Sequence, residues 1–382
     1  MGCLAAVMTA KGVGAISTIR IDGNSAKKIL QKIFRPAVGV KCSFETGKIL
    51  LGNIVEADRV IDQVVIGCEG PESFAIHCHG NPLIVKVIMG LLVCLGAATV
   101  KPEKLLNEVL EGSTIIKEAG LALPAAKTIE GTKLLLNQQT AGLTKTAAYW
   151  KDNLESIAAD QIRTEAQNIL RQSKIAEYLI FGCKVVIAGP PNGGKSTLLN
   201  RLCGRPKAIV TDIKGTTRDY VGAACRVKSL IMDLFDTAGL DETLAGQSEI
   251  GRLSQRKALE LISLADLVLF VLDSTTPTVQ KPPKCENLIV VLNKSDLPIT
   301  LNKRDICFDY SACVKTSAKN GAGIDDLVCA IRRVLSVEDF DLSQPVCFTN
   351  RQKKLLCQLV KAQNAAETKS IIAELLIGRI EV

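Results

Sequence analysis

The chain has 382 residues, 47% hydrophobic and 23% charged, with no collagen-like, mucin-like or glutamine-rich tract, which excludes a fibrous or disordered protein. Lys and Arg number 47 against 39 Asp and Glu, a net charge of +8 that favours a polyanionic partner without requiring one. Fourteen cysteines with no C-x-x-C pair read as buried thiols of a cytoplasmic protein, and the longest apolar run, residues 87–100, is shorter than the roughly 20 residues a membrane helix needs. No signal peptide and no membrane segment are expected.

In chain order, residues 14–21 and 47–56 are strand-like, and Asn24 is expected to cap a helix running to Phe34. Further strands at 60–68 and 73–78 and a helix at 82–95 complete an α+β domain over residues 1–100. His77 and His79, the only histidines, fall on one face of a strand with Cys78 on the other; two ligands fall short of a zinc site. Residues 101–178 read as the first part of a helical domain, with leucines at helical spacing as in 153–179 and a solvated basic face along 163–184. From Cys183, strands at 184–188, 227–236, 267–273 and 288–293 alternate with helical segments, the pattern of a doubly wound parallel sheet, in a domain spanning 179–337. After a linker at 339–345, residues 338–382 return to helix as the second part of the helical domain.

The chemistry concentrates in that third domain. Gly189-Pro-Pro-Asn-Gly-Gly194-Lys195-Ser196 matches G-x-x-x-x-G-K-[ST] and lies between a strand and a helix starting at Ser196. Such a loop cradles phosphates with its backbone amides through Asn192, Gly193, Gly194 and Thr197, reaches the β and γ oxygens with Lys195, and holds Mg²⁺ with Ser196. Asp236-Thr-Ala-Gly239 ends a strand, so Asp236 falls in the Mg²⁺ shell and the Gly239 amide near the γ-phosphate. Between them, Thr216-Thr217-Arg218-Asp219 is positioned as a switch loop whose Thr217 hydroxyl closes on Mg²⁺. Asn293-Lys294-Ser295-Asp296 follows another strand, and the Asp296 carboxylate can accept two hydrogen bonds from guanine that adenine cannot offer; Ser317-Ala318-Lys319 supplies a loop over the base. These elements in this order predict GTP as the nucleotide, in a P-loop, Ras-like domain inserted within a multidomain α+β and α/β chain.

Residues 211–219, with Asp236-Thr-Ala-Gly-Leu240 and Asn192 inside the P-loop, resemble the TrmE-Era-Der superfamily of GTPases. The stretch from Ala5 to Gly23 and Ile76-His-Cys-His-Gly80 is similar to the N-terminal domain of the MnmE/TrmE tRNA-modification GTPases, and Thr349-Asn350-Arg351-Gln352 resembles their re-entry into helix. The resemblance implies a homodimer through the N-terminal domains, a one-carbon tetrahydrofolate bound there, and a flavin-dependent partner of the MnmG/GidA type with which the wobble uridine of certain tRNAs is modified. It also implies K⁺-dependent pairing of GTPase domains with Asn192 as a K⁺ ligand.

Three departures accompany it. The family's water-orienting glutamate, twelve residues beyond the Asp of D-T-A-G, falls on Ser248, with Glu249 beside it. The family's C-terminal cysteine motif is matched only by Leu376-Ile-Gly-Arg379, and residues 100–128 replace its Arg-Ala-Phe-Leu-Asn-Gly run. A diverged GTP-dependent switch without modifying activity is therefore a second reading. A ribosome-assembly GTPase of the Era or Der kind is a third, although the G-x-x-G loop of a KH-like domain is missing from the last forty residues.

Overall fold

A computed structural model describes residues 2–9, 12, 14–37, 43–57, 59–109, 112–204, 222–236, 256, 259–277, 279–378 and 380. The chain divides into two compact units, Met1–Leu121 and Ala122–Gly378.

The first unit is built on a seven-stranded sheet of order β3-β4-β5-β6-β2-β1-β7. Its strands are β1 (Leu4–Val7), β2 (Ile16–Asp22), β3 (Phe34–Pro36), β4 (Ile49–Glu56), β5 (Arg59–Gly70), β6 (Ser73–His79) and β7 (Ala98–Thr99). Alternation along the strands sends Ile19, Ile21, Ile54, Ile66, Phe74 and Ile76 to one face, where they pack with Ile29 and Leu30 of α1 (Ala26–Ile33) and Ile88 and Leu92 of α2 (Pro82–Cys94). Asn24 does not cap α1. The Ala26 amide bonds to the Gly23 carbonyl at 2.8 Å, so the turn closes one residue later, Ser25 takes the N-cap position without a side-chain bond, and Phe34 leaves the helix for β3 to pack edge-on to Phe44. Helices α3 (Pro102–Val109) and α4 (Thr114–Ala122) follow.

The second unit combines helices with a six-stranded sheet. Helices α5 (Ile129–Thr140), α6 (Gly142–Asp152) and α7 (Ala159–Phe181) come first. The expected helix from 153 starts only at Ala159, because Asn153 closes α6 by donating to the Tyr149 carbonyl and then accepts from the amides of Ser156 and Ile157. The sheet order is β13-β12-β11-β8-β10-β9, from β8 (Cys183–Ala188), β9 (Gly222–Val227), β10 (Leu230–Asp236), β11 (Leu267–Asp273), β12 (Leu288–Asn293) and β13 (Ala312–Lys315). Five strands are parallel, and β9 is an antiparallel edge strand. The sequence reading merged Val227 with β10; a two-residue hairpin at Lys228-Ser229, with Lys228 at φ 53°, separates them without the Asn-Gly pair that would have announced it. The near-continuous apolar runs of β11 and β12 are buried on both faces, as a parallel sheet requires. Helix α8 (Lys195–Cys203) follows β8, beginning one residue before the expected Ser196. After the sheet come α9 (Ile324–Val334), α10 (Asn350–Lys361) and α11 (Ala365–Ile377), with α10 against α7 and α11 against α6 and α10.

Candidate nucleotide site

The loop between β8 and α8, residues 189–194, is forced into shape by its neighbours. Gly189 takes φ 136°, and a Cβ there would stand 2.2 Å from the Val271 carbonyl oxygen of β11, so only glycine lets the chain leave β8 this close to the next strand. Asn192 at φ 59° and Gly194 at φ 91° turn the loop back, and a Cβ on Gly194 would meet Asn293 Nδ2 at 2.3 Å. Left-handed residues leading into the N-terminus of α8 direct backbone amides and the positive end of the helix dipole toward one point, which suits an anion. Lys195 is buried, and its ammonium is held over the loop by the carbonyls of Gly189 (3.0 Å) and Pro190 (2.8 Å). Asn192 and Thr197 are exposed, and Gly193 is buried against Val271.

Beside the loop, Ser196 Oγ donates to Asp236 Oδ2 at 2.6 Å, where β10 ends. The second carboxylate oxygen, Asp236 Oδ1, is buried and has no hydrogen-bond partner among the described residues. Leaving such an oxygen bare costs about 1–3 kcal/mol, and a hydroxyl and a carboxylate placed together are hard oxygen donors suited to a hydrated Mg²⁺. The residues present therefore fit a divalent cation.

The base-side motifs converge at the same sheet edge. Asn293, almost fully buried at the end of β12, donates from Nδ2 to the Gly193 carbonyl at 2.9 Å, and its Oδ1 accepts from the Ala318 amide at 2.9 Å and the Thr316 hydroxyl at 3.3 Å. One side chain thus bridges the phosphate loop and the base loop. Lys294, at φ 61°, bonds Asp273 Oδ2 at 2.5 Å, and Asp273 also accepts from the amide and hydroxyl of Thr275. Burial pushes the Asp273 carboxyl up, but these donors outweigh it and hold the group below its ordinary value. The exposed Asp296 carboxyl is likewise held low, first by the Ser317 hydroxyl and then by its own backbone amide. Ser317 and Ala318 are buried beneath the loop, Lys319 is exposed, and Arg201 of α8 grips the loop from below, with Nε on the Ala318 carbonyl at 2.9 Å and Nη2 on that of Lys319.

Asn192, Gly193, Gly194, Lys195, Ser196, Asp236, Asn293, Lys294, Asp296, Ser317, Ala318 and Lys319 thus gather at the C-terminal edge of the sheet, where parallel α/β sheets bind ligands. Thr217, Gly239, Ser248 and Glu249 lie outside the described residues. Sequence reading missed Asp273, Thr316 and Arg201. Asp273 carried a signal, a carboxylate ending an apolar strand as Asp236 does; Arg201 carried none, since its partners are more than a hundred residues away. In the first unit, His77 Nδ1 pairs with the Thr18 hydroxyl and His79 Nδ1 with Asp62, and among the described residues no group of three or more His, Cys, Asp or Glu could hold a metal.

Residues 184–303 match the family model described as 50S ribosome-binding GTPase, and residues 3–102 match that of the GTP-binding protein TrmE N-terminus. A tRNA modification GTPase MnmE of Thermotoga petrophila is 31% identical over 414 residues, an alignment covering 97% of this chain and 90% of the relative. The protein of the same name from Alkaliphilus oremlandii is 26% identical over 425 residues, covering 99% and 92%. Among solved structures, Aquifex aeolicus Era bound to GDP and AlF₄⁻ is 28% identical, covering 46% of this chain and 64% of that one at a TM-score of 0.30.

Proposed function

The chain belongs to the family of tRNA modification GTPases named MnmE, and from that premise we propose how its residues divide the work and which partners it takes. It is a GTP hydrolase acting in tRNA modification. The amides of Asn192, Gly193, Gly194, Lys195, Ser196 and Thr197 take the phosphates, Lys195 neutralises the β and γ oxygens, and the Gly239 amide lies at the γ-phosphate. Ser196, Thr217 and Asp236 would hold Mg²⁺, and Asn192 would contribute to a K⁺ site. When bound, the cations would neutralise charge on the phosphate oxygens. Asp296 reads guanine, Asn293 and Lys294 fix the strand end that carries it, and Ser317, Ala318 and Lys319 cover the base. Ser248 or Glu249 orients the attacking water.

The observation that carries this reading is the Ser196–Asp236 contact beside the phosphate loop, with Asp236 Oδ1 unpartnered among the described residues. Hydrolysis in matched KCl and NaCl tests the role of Asn192: equal rates would remove the K⁺ assignment.

The same proposal extends to the domains and partners: an N-terminal domain over 1–100, a helical domain from 101–178 and 338–382, and a GTPase domain over 179–337. A homodimer through the N-terminal domains is supported by the sheet face opposite α1 and α2, which leaves Ile16, Ile49 and Leu51 exposed, Ile49 by 75%. A tetrahydrofolate derivative is assigned to that domain and no further. A flavin-dependent partner of the MnmG/GidA type would act with this chain on wobble uridines in the cytoplasm. No helix among the described residues is long and apolar enough to cross a membrane.

Cells deleted for this chain should lose the wobble-uridine modification by tRNA mass spectrometry, and Lys195→Ala should fail to restore it. Persistence of the modification would favour a non-modifying switch.

A further inference from the structure

Helix α1 carries its charge on one side and in one sign. Its buried face is Ala26, Ile29, Leu30 and Ile33; its exposed face is Lys27, Lys28, Gln31 and Lys32, without a single carboxylate. Arg35 extends the face onto β3, its Nη1 fastened to the carbonyls of Lys32 and Phe34 at 3.1 Å each, so its guanidinium stands beside the end of the helix. Among the described residues, none of these four cations has an acidic partner. By contrast, α9 opens with Asp325 and Asp326 and closes with Arg332 and Arg333, and on α7 Arg163 pairs with Asp160 and Lys174 with Glu286.

Folding alone does not favour this arrangement. Lys27 and Lys28 occupy the first turn, where the positive end of the helix dipole opposes cations, and Ser25 provides no capping side chain to offset it. Four unpaired like charges on one short surface also repel one another. A bound polyanion would reverse the sign of both effects.

We propose that the exposed face of α1, with Lys27, Lys28, Lys32 and Arg35, is a docking surface for the phosphodiester backbone of the transfer RNA. This rests on the tRNA-modification reading above. From Lys28 to Ile33 the helix advances about 7 Å at roughly 1.5 Å per residue, and Arg35 carries the charge on to β3, so the four cations can follow a short run of successive phosphates on one strand. The side chains are long, flexible and aliphatic, with no aromatic platform on the helix, so the contact reads charge and not bases. It therefore adds affinity and orientation that do not depend on sequence.

The test is binding of fluorophore-labelled bulk transfer RNA to the full chain across a KCl series, for the wild type, for Lys27→Gln with Lys28→Gln and Lys32→Gln, and for a control with Lys133→Gln, Lys145→Gln and Lys151→Gln on α5 and α6. Each phosphate contact contributes about 0.7–0.9 to the slope of log affinity against log salt, so the α1 variant should lose about 2 units of slope and at least about tenfold in affinity near 0.1 M salt. The control should keep both, and GTP hydrolysis without RNA should be the same in all three, which also reports that they are folded. If the wild type binds tRNA and the α1 variant keeps its slope, this surface is wrong while the tRNA reading stands. If the α1 variant keeps tRNA binding but loses association with the flavoprotein, the face serves an acidic protein instead. If the wild type binds no tRNA in any nucleotide state, both readings fall.

Discussion

Replacing Asn293 by alanine unfastens the two halves of the nucleotide site from each other. The substitution deletes a donor to the Gly193 carbonyl and an acceptor for the Ala318 amide, both at 2.9 Å, and a longer bond from Thr316. Each good hydrogen bond contributes about 1 kcal/mol net, and each buried partner left bare costs about 1–3 kcal/mol. Because Asn293 is nearly inaccessible and the removed atoms leave a polar hole, relief by water is partial, and the expected loss of stability is about 2–4 kcal/mol. Part of this should appear again in binding. Once the phosphate and base loops are no longer fastened to each other, GTP must order them, and a cost of about 1.4–2.8 kcal/mol corresponds to a tenfold to hundredfold weaker affinity. Urea unfolding without nucleotide, read by circular dichroism, gives the first quantity, and titration of a fluorescent GTP analogue gives the second. A variant as stable as the wild type and binding GTP equally well would mean that the bridge through Asn293 does no structural work.

Gly189→Ala should destabilise by about 3 kcal/mol or more, a fall of roughly 6–12 °C in thermal midpoint, because φ 136° and a backbone oxygen 2.2 Å from the new methyl leave nothing flexible to yield; an unchanged midpoint would contradict the loop geometry. Asp296→Asn should weaken GTP at least about tenfold and narrow its advantage over ATP, measured by calorimetry. The Asp273–Lys294 pair should make stability pH-dependent only in acid: the folded carboxyl lies below its ordinary value of about 3.9, so its contribution is complete above that pH and is lost as pH falls through the folded value. Asp273→Asn should flatten that limb of the urea-midpoint profile and leave the region above about pH 5 unaltered in shape. Ser248→Glu should raise the hydrolysis rate by about tenfold or more at constant GTP affinity; if Glu249→Ala instead abolishes turnover in the wild-type background, the water is oriented from the neighbouring position.

The parts of the site legible in the sequence were those whose spacing is set by chemistry. A phosphate loop must place Lys195 and Ser196 directly after its glycines at the head of a helix, and a guanine-reading carboxylate must follow a strand end, so both could be read locally and in order. The mixed first sheet was legible for a similar reason, since β5 alternates along most of its length and β2 and β4 along part of theirs, while β6 centres on an apolar run. What escaped was set by distant partners. The Lys228-Ser229 hairpin has no turn residue to mark it, and Asn24 has a cap residue's chemistry but loses the position to a Gly23–Ala26 hydrogen bond. Asn293 could be recognised as a motif member, yet its bond to Gly193 spans a hundred residues and exists only once the sheet has formed.

The return of the chain after the GTPase domain makes the same point at larger scale. Gln138, wholly buried at the end of α5, donates to the Leu134 and Gln344 carbonyls at 3.1 Å and accepts from the amides of Leu143 and Val346 at 2.8 and 3.0 Å. Ser173 on α7 accepts from the Cys347 amide at 2.8 Å, and Thr349 then caps α10. The segment that leaves the nucleotide domain is therefore received by side chains that precede that domain in sequence, and α10 and α11 complete the helical layer against α7 and α6. A glutamine and a serine in helices look like solvent-facing residues by composition. Their burial becomes intelligible only because the returning segment brings amides and carbonyls outside any helix or strand that must be satisfied, and these two side chains satisfy them. The cost of leaving those groups bare holds both ends of the insertion to one set of helices, so the GTPase domain can occupy the middle of the helical sequence without dividing its core.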